Sequence, residues 1–149
     1  MKNIDFSMND LVPVILEVVE SGGEFRLFPR GTSMLPLLRE GQDSVILVKK
    51  GPLSVGDICL YRRENGQFVL HRLVGHAKDG TLSFRGDNQS ETEHGIHEEQ
   101  VLAVVSAYYR GDKRISVGSL RHKLYRVAHI AALRRAVRAL RAKQNKKDR

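Results

Sequence analysis

Three polar side chains in this sequence are of the types that combine in hydrolytic serine sites. Ser33 lies in the segment RGTSMLP, His71 follows 38 residues later in VLHR, and Asp87 follows after another 16 in RGDN. A serine hydroxyl becomes a good nucleophile when a base takes its proton, and histidine serves best as that base when a carboxylate fixes its tautomer. The sequence therefore contains candidates for a nucleophile, a base and an acid, in that order along the chain.

The residues around Ser33 are suited to expose a reactive hydroxyl. A glycine stands two positions before the serine, and Met34 and Pro36 follow it. This predicts a bent backbone after a strand, with nearby N–H groups free to bind an oxyanion. We expect Met34 and Leu35 to line a substrate cleft or to pack beneath Ser33. An ordinary turn serine is the alternative, and the two partner segments favour the nucleophile.

Each partner residue also has a structural interpretation. His71 falls in the alternating segment FVLHRLV, where a core-facing histidine can bond a backbone carbonyl. Asp87 stands between a glycine and an asparagine, and Asp and Asn often bond their own backbone in turns. The place of His71 in the motif favours its role as the base. Asp87 can form a turn and act as the acid at the same time.

Over roughly residues 25–109 the sequence resembles the signal peptidase type of serine peptidases and the related self-cleaving repressor peptidases. The family's nucleophile motif, Ser-Met-x-Pro, matches residues 33–36, its Gly-Asp-Ile/Val-Val block matches 56–60, and its Gly-Asp-Asn block matches 86–88. Bacterial signal peptidases and the repressors use a lysine base, whereas the branch of archaea, the endoplasmic reticulum and some spore-forming bacteria has a His-Arg pair. Residues 71–72 look like that pair, so the resemblance implies a Ser-His-acid site.

The acid of this site is ambiguous between two positions. In the His-type branch the triad acid is generally placed six residues after the Asp of Gly-Asp-Asn, and this chain has Glu93 there. Glutamate can orient a histidine, but its extra methylene moves the carboxylate. Asp87 and Glu93 are therefore alternatives for orienting His71.

The oxyanion donor also departs from the family pattern. Many members carry a serine two positions before the nucleophile, where this chain has Gly31. The resemblance then leaves the Ser33 N–H and the Thr32 hydroxyl as donors, with Met34 and Pro36 beside the substrate cleft. It also implies a preference for small apolar residues before the cut, as in Ala-x-Ala.

The hydrophobic pattern predicts a mainly β fold that would position these residues. A short helix capped by Asn9 or Asp10 and ending near residue 20 is followed by residues 24–116, where the period is two and turn residues recur. Seven strands are predicted, at 25–28, 44–48, 57–61, 68–74, 81–84, 101–109 and 114–117. Asn65-Gly66 and Asp79-Gly80 predict hairpins. The resemblance implies the antiparallel catalytic β fold of the signal peptidases and repressors.

The segment HGIHEE at residues 94–99 invites a metal interpretation, because His94 and His97 lie three residues apart. Gly95 argues against a rigid helix there, and the sequence places no third ligand. We therefore predict a solvated loop, with no metal and no cofactor in the protein.

Charge divides the chain into two parts. Residues 1–118 carry 14 basic and 16 acidic side chains, whereas residues 119–149 carry 11 basic residues and one acid, Asp148. We predict a β domain with its N-terminal helix over 1–118, and a basic C-terminal region over 119–149. In that region the apolar spacing predicts a helix over 119–142, with a frayed end at 143–149.

The basic helix has two favoured interpretations. Its second half places basic residues opposite apolar ones, which suits either an anionic membrane surface or a solvated face packed on the body. Nucleic acid is the least favoured partner, because the helix offers few stacking or base-reading side chains. The basic residues are Arg134, Arg135, Arg138 and Arg141, and the apolar ones are Leu133, Val137 and Leu140.

The single cysteine, Cys59, excludes an intrachain disulfide and a cysteine zinc site, and its apolar strand predicts a small buried thiol. The first ten residues place acids, Asp5 and Asp10, where a secretory signal needs positive charge, and no apolar run approaches the ~20 residues of a membrane span. These features predict a cytoplasmic protein, at most peripheral to a membrane.

The function expected from these features is that of a serine endopeptidase acting on a peptide or protein. The alternative is a catalytically silent binding module that docks to a membrane surface or a partner through the basic helix. A self-cleaving repressor is disfavoured, because His71 stands where the repressors have lysine and only 32 residues precede Ser33.

Overall fold

The computed structural model describes residues 7–147. Helix α1 (Met8–Glu20) precedes the strands, a 3-10 turn spans Glu98–Gln100, and helix α2 (Leu120–Lys147) follows. The strands are β1 (Phe25–Leu27), β2 (Ser44–Val48), β3 (Ile58–Arg62), β4 (Phe68–His76), β5 (Leu82–Arg85), β6 (Glu93–Ile96), β7 (Val101–Arg110) and β8 (Lys113–Ser116). The predicted mainly β fold with a helix near each end is confirmed.

The strands form one sheet, in the order β1-β2-β7-β3-β4-β5-β6, with β8 paired to β7. The pairings along this order are antiparallel. The two predicted hairpins are present, and their turns contain Gly66 at a φ of 89° and Gly80 at a φ of 85°, a region that residues with a Cβ avoid. These hairpins place β4, which carries His71, between β3 and β5.

A buried apolar cluster on β3 to β7 supports this part of the sheet. Tyr61 and Phe84 stack within it, with ring centroids 4.4 Å apart. Cys59 is fully buried there, as predicted. The members of the cluster are Cys59, Tyr61, Leu73, Leu82, Phe84, Ile96 and Val101. Tyr61 is thus held rigidly by packing, although its hydroxyl is polar.

Helix α1 packs on β1, β2 and β7 through Val12, Ile15 and Val19, which are spaced to share one helical face. The helix begins earlier than predicted. Ser7 is the N-cap, and its hydroxyl accepts a hydrogen bond from the N–H of Asp10, so the predicted cap at Asn9 or Asp10 is wrong. A serine three residues before an acid makes a good cap, because its oxygen satisfies a first-turn donor.

Strand β6 lies where the sequence predicts a solvated loop over 94–99, so that prediction is wrong. Ile96 pairs with Leu82 and Glu93 with Phe84 on β5. Ile96 is buried, but Gly95 beside it has a φ of 76° and breaks the alternation that identifies a strand. With one apolar residue and an irregular backbone, this short strand has no periodic signal to find.

The chain divides into two compact units between Arg114 and Ile115. In the second unit, α2 continues to Lys147, beyond the predicted helix end at residue 142, and residues 148–149 of the tail predicted to fray lie outside the described part. Lysine and glutamine are good helix formers and can extend a helix without packing. No helix among residues 7–147 combines the length and the apolar character needed to cross a bilayer.

Candidate active site

Ser33 and His71 line the same cavity, although they lie on different elements. Ser33 occupies the turn that follows β1, and His71 stands in β4. The cavity has a volume of about 250 Å³ and includes Met34 and Leu70 among its walls. The two residues that the sequence pairs as nucleophile and base are thus brought to one space.

The segment at residues 86–88 holds the serine turn in place. The Asn88 N–H donates to the Ser33 carbonyl oxygen at 2.8 Å, and the Asn88 side-chain amide donates to the Thr32 carbonyl oxygen at 3.1 Å. Gly86 lies so close that a Cβ there would stand 2.5 Å from the Ser33 carbonyl oxygen. The Gly-Asp-Asn block therefore acts on Ser33 through its glycine and its asparagine as well as offering an acid.

His71 is buried, with 5% of its surface exposed. Burial, followed by the charge of Arg63, lowers the pKa of His71 below its usual value of 6.5, and the charges of Glu93 and Asp87 oppose that change. The ring is therefore neutral at neutral pH. A neutral imidazole has one nitrogen free to accept a proton, which is the state a general base needs.

The Tyr61 hydroxyl connects His71 to Glu93. Tyr61 lies diagonally across from His71 on the paired strands β3 and β4, and its hydroxyl is 3.3 Å from His71 Nδ1. The same hydroxyl donates to Glu93 Oε2 at 3.0 Å. Glu93 thus reaches the histidine through a tyrosine, on the Nδ1 side of the ring.

Arg63 keeps Glu93 ionised. Its Nε and Nη2 donate to the carboxylate at 3.0 and 2.8 Å. Burial alone would raise the pKa of Glu93, but hydrogen bonds from Arg63 and Tyr61 and the charge of Arg63 outweigh it, so this pKa lies below its usual value. The Tyr61 hydroxyl stays protonated, because burial and then the charge of Glu93 raise its pKa.

Asp87 faces a different partner. Its two carboxylate oxygens accept from Arg72 Nε and Nη2, both at 2.8 Å, and Arg72 Nη1 donates to the Gly56 carbonyl oxygen at 2.8 Å. Both side chains of this pair are almost completely buried. The pair links the turn after β5 to β4 and to the residues before β3. Asp87 acts on the pKa of His71 by its charge.

The remaining predicted cleft residues are divided between cavity and surface. Met34 is buried and lines the cavity with Gly31. Within the described part of the chain, Thr32 and Pro36 are exposed and are not among its lining residues. The Ser33 N–H is therefore better placed than the Thr32 side chain to act as an oxyanion donor at this cavity.

Ser33 Oγ and His71 are not hydrogen-bonded to each other among residues 7–147. Catalytic hydrogen bonds are often long before a substrate is bound and shorten in the complex. The structure shows a shared cavity and a buried imidazole whose Nδ1 lies 3.3 Å from the Tyr61 hydroxyl.

Two further cavities border the first one. One, of about 420 Å³, shares Phe68, Val69 and Leu70 with it and is lined by apolar residues of α1 and β1. The other, of about 570 Å³, shares Arg63, His71 and Gln89 with it and is lined by the loop at residues 88–92. His71 lines two of the three adjoining cavities, and Ser33 lines the first.

The two histidines considered for a metal lie apart from this chemistry. His94 Nδ1 is 2.8 Å from the Ser83 hydroxyl, and His97 caps the 3-10 turn. Among residues 7–147, no group of three or more His, Cys, Asp or Glu side chains is placed to hold a metal ion.

No protein-family model, no curated protein and no solved structure matches this chain. The functional proposal below therefore depends on the geometry of this chain.

Sequence reasoning did not single out Tyr61, Arg63 or Asn88. Tyr61 ends the segment GDICLY, two residues from Arg63, so both stand at the end of a strand that pairs with the histidine strand. Residues at this end of β3 are neighbours of His71 on β4. Their position in the predicted hairpin could therefore have identified Tyr61 and Arg63. The link from Asn88 to Ser33 has no such signal, because it depends on where two turns meet.

Proposed function

We propose that this protein is a serine endopeptidase resembling the signal peptidases, which cleaves a peptide or protein after small apolar residues. The supporting observation is that Ser33 shares a cavity with a neutral, buried histidine whose Nδ1 side is hydrogen-bonded toward an ionised carboxylate. These are the kinds of group that serine hydrolysis uses as nucleophile, base and orienting acid, with Tyr61 between the base and the acid.

In the proposed reaction, His71 Nε2 takes the proton of Ser33 Oγ as the oxygen attacks the scissile carbonyl carbon. The carbonyl oxygen gains negative charge and is stabilised by the Ser33 N–H. The proton on Nε2 then passes to the leaving amine as the C–N bond breaks. Water, deprotonated by the same nitrogen, hydrolyses the acyl ester and restores the serine.

The three adjoining cavities support a peptide as the substrate class. Ser33 and His71 line the first, of about 250 Å³, and each of the other two shares lining residues with it. The apolar walls of the neighbouring cavity of about 420 Å³ suit an apolar stretch of substrate.

Hydrolysis of an Ala-x-Ala peptide library by the full chain tests this proposal, with fluorophosphonate labelling in parallel. We expect cleavage that Ser33→Ala and His71→Ala abolish. Ser54→Ala is the matched control, because Ser54 is an exposed serine that lines none of these three cavities, and it should keep full activity. Cleavage that survives Ser33→Ala, or a folded wild type with neither cleavage nor labelling, contradicts the peptidase function.

The alternative function is a catalytically silent module that docks to an anionic membrane surface through α2. The helix has ten Lys and Arg residues and no acid, which gives it the charge to bind anionic lipid headgroups. Several of its large apolar side chains are exposed, at Leu120, Leu124, Val127, Ile130, Val137 and Leu140.

Flotation with anionic and neutral vesicles tests this docking. We expect binding to anionic vesicles that is lost when Arg134, Arg135, Arg138 and Arg141 are replaced by Gln together. Equal binding to neutral vesicles, or binding of nucleic acid in place of vesicles, contradicts it. Ser33→Ala should leave the vesicle binding unchanged.

A further inference from the structure

The Tyr61 hydroxyl lies between the candidate base and the nearest carboxylate on that side. It is 3.3 Å from His71 Nδ1 and 3.0 Å from Glu93 Oε2. A phenol has a single hydrogen to donate, so it can serve only one of these two acceptors as a donor. The direction of that hydrogen decides which nitrogen of His71 carries a proton.

The surroundings of Glu93 decide the direction. The carboxylate is ionised and can only accept hydrogen bonds, since Arg63 donates to it from two nitrogens. If the phenol hydrogen pointed to His71, the tyrosine oxygen and the carboxylate oxygen would face each other 3.0 Å apart with no hydrogen between them. The hydrogen therefore points to Glu93, and the tyrosine oxygen accepts from Nδ1–H.

We propose that Tyr61 is a positioning residue that sets the tautomer of His71: its hydroxyl accepts the Nδ1–H and passes the influence of Glu93 to the ring, which keeps Nε2 free of a proton. The proposal rests on the proposed hydrolysis, in which Nε2 receives the Ser33 proton. It also explains how Glu93 can serve as the acid of this site, because the Tyr61 hydroxyl lies between the Glu93 carboxylate and the His71 ring.

Packing in the core is the competing role for Tyr61. The residue is fully buried and stacks on Phe84, so any substitution that removes the ring would disturb the sheet. Tyr61→Phe keeps the ring and its stacking and removes only the hydroxyl. It therefore separates the two roles.

The groups that face the His71 ring in this arrangement are Tyr61, Glu93, Arg63 and Asp87. The charge of Arg63 lowers the affinity of the ring for a proton, and the charges of Glu93 and Asp87 raise it. None of these three charged groups is changed by Tyr61→Phe. A change in the tautomer of His71 in this variant is therefore due to the loss of the hydroxyl.

Nitrogen-15 NMR of the histidine rings in the full chain at pH 8 measures the tautomer directly, with His71 assigned by the loss of its signals in His71→Gln. In the wild type we expect a protonated Nδ1 and an unprotonated Nε2. In Tyr61→Phe we expect a shift toward the Nε2–H tautomer and a roughly 10- to 100-fold loss of kcat with KM little changed, which is part of the full contribution of a general base.

The matched control is Tyr108→Phe, which removes the hydroxyl of another buried tyrosine, on β7. It should leave the tautomer of His71 unchanged. A wild-type ring protonated at Nε2, or a tautomer and kcat that Tyr61→Phe does not alter, overturns the proposal. The NMR measurement needs no turnover, so an inactive protein with the expected tautomer refutes the peptidase function and leaves the hydrogen-bond chain standing.

Discussion

Two arginine–carboxylate pairs, Arg72 with Asp87 and Arg63 with Glu93, differ in burial and in partners. Arg72 and Asp87 expose 9% and 3% of their side chains and are joined at 2.8 Å, whereas Arg63 and Glu93 expose 31% and 28% at the same distance. The first pair also binds the Gly56 carbonyl, and the second reaches the Tyr61 hydroxyl. One pair ties backbone segments together, and the other contacts the hydrogen-bond chain of the histidine.

The difference shows that an acid can be part of a site without touching its base. Asp87 holds the turn whose glycine and asparagine contact the Ser33 backbone, so it supports the proposed nucleophile. Glu93 supports the proposed base through Tyr61. The two carboxylates that the sequence leaves as alternatives are therefore placed for different tasks, and variants should separate them.

The largest expected effect is on stability, from breaking the buried pair. Arg72→Met leaves Asp87 buried without its bidentate partner and should cost about 3–5 kcal/mol of the free energy of unfolding. Arg63→Met is the matched variant and should cost only about 0–1 kcal/mol, because its pair is partly solvated. Urea denaturation measures both. Equal losses in the two variants would show that burial does not distinguish the pairs.

The next largest effect is on activity, from moving the serine turn. Gly86→Ala places a methyl group against the Ser33 carbonyl oxygen and should displace Ser33 enough to lower kcat/KM by about 100-fold. Gly51→Ala is the control, because a Cβ there meets nothing within 4 Å. Steady-state kinetics of peptide cleavage compare them. Unchanged activity in Gly86→Ala would contradict the prediction that the turn at residues 86–88 positions Ser33.

The fold was more predictable from the sequence than the links within the site. Seven of the eight strands and both hairpins follow from period-two patterning and from Asn-Gly and Asp-Gly turns, which are local signals. Ser33 and His71 could be paired by motif order. The partners of Asp87 and Glu93 could not be assigned, because they depend on the strand register of β3 with β4 and on contacts between turns far apart in sequence.

A smaller effect should appear in the pH dependence of hydrolysis. Because burial and Arg63 lower the pKa of His71, the acid limb of kcat/KM should have its midpoint below pH 6.5. Arg63→Gln removes a charge that lowers this pKa and should move the limb to higher pH, and Glu93→Gln removes one that raises it and should move the limb to lower pH. Shifts of the same sign in both variants contradict this assignment of charges.

The smallest effect should be on the way the free energy of unfolding depends on pH near 6.5. The folded protein keeps His71 neutral below pH 6.5, whereas the unfolded chain binds a proton there, so this residue makes the fold less stable as pH falls through 6.5. The slope from one such proton is at most about 1.4 kcal/mol per pH unit. Urea denaturation of wild type and His71→Gln between pH 5 and 8 should show a shallower loss in the variant.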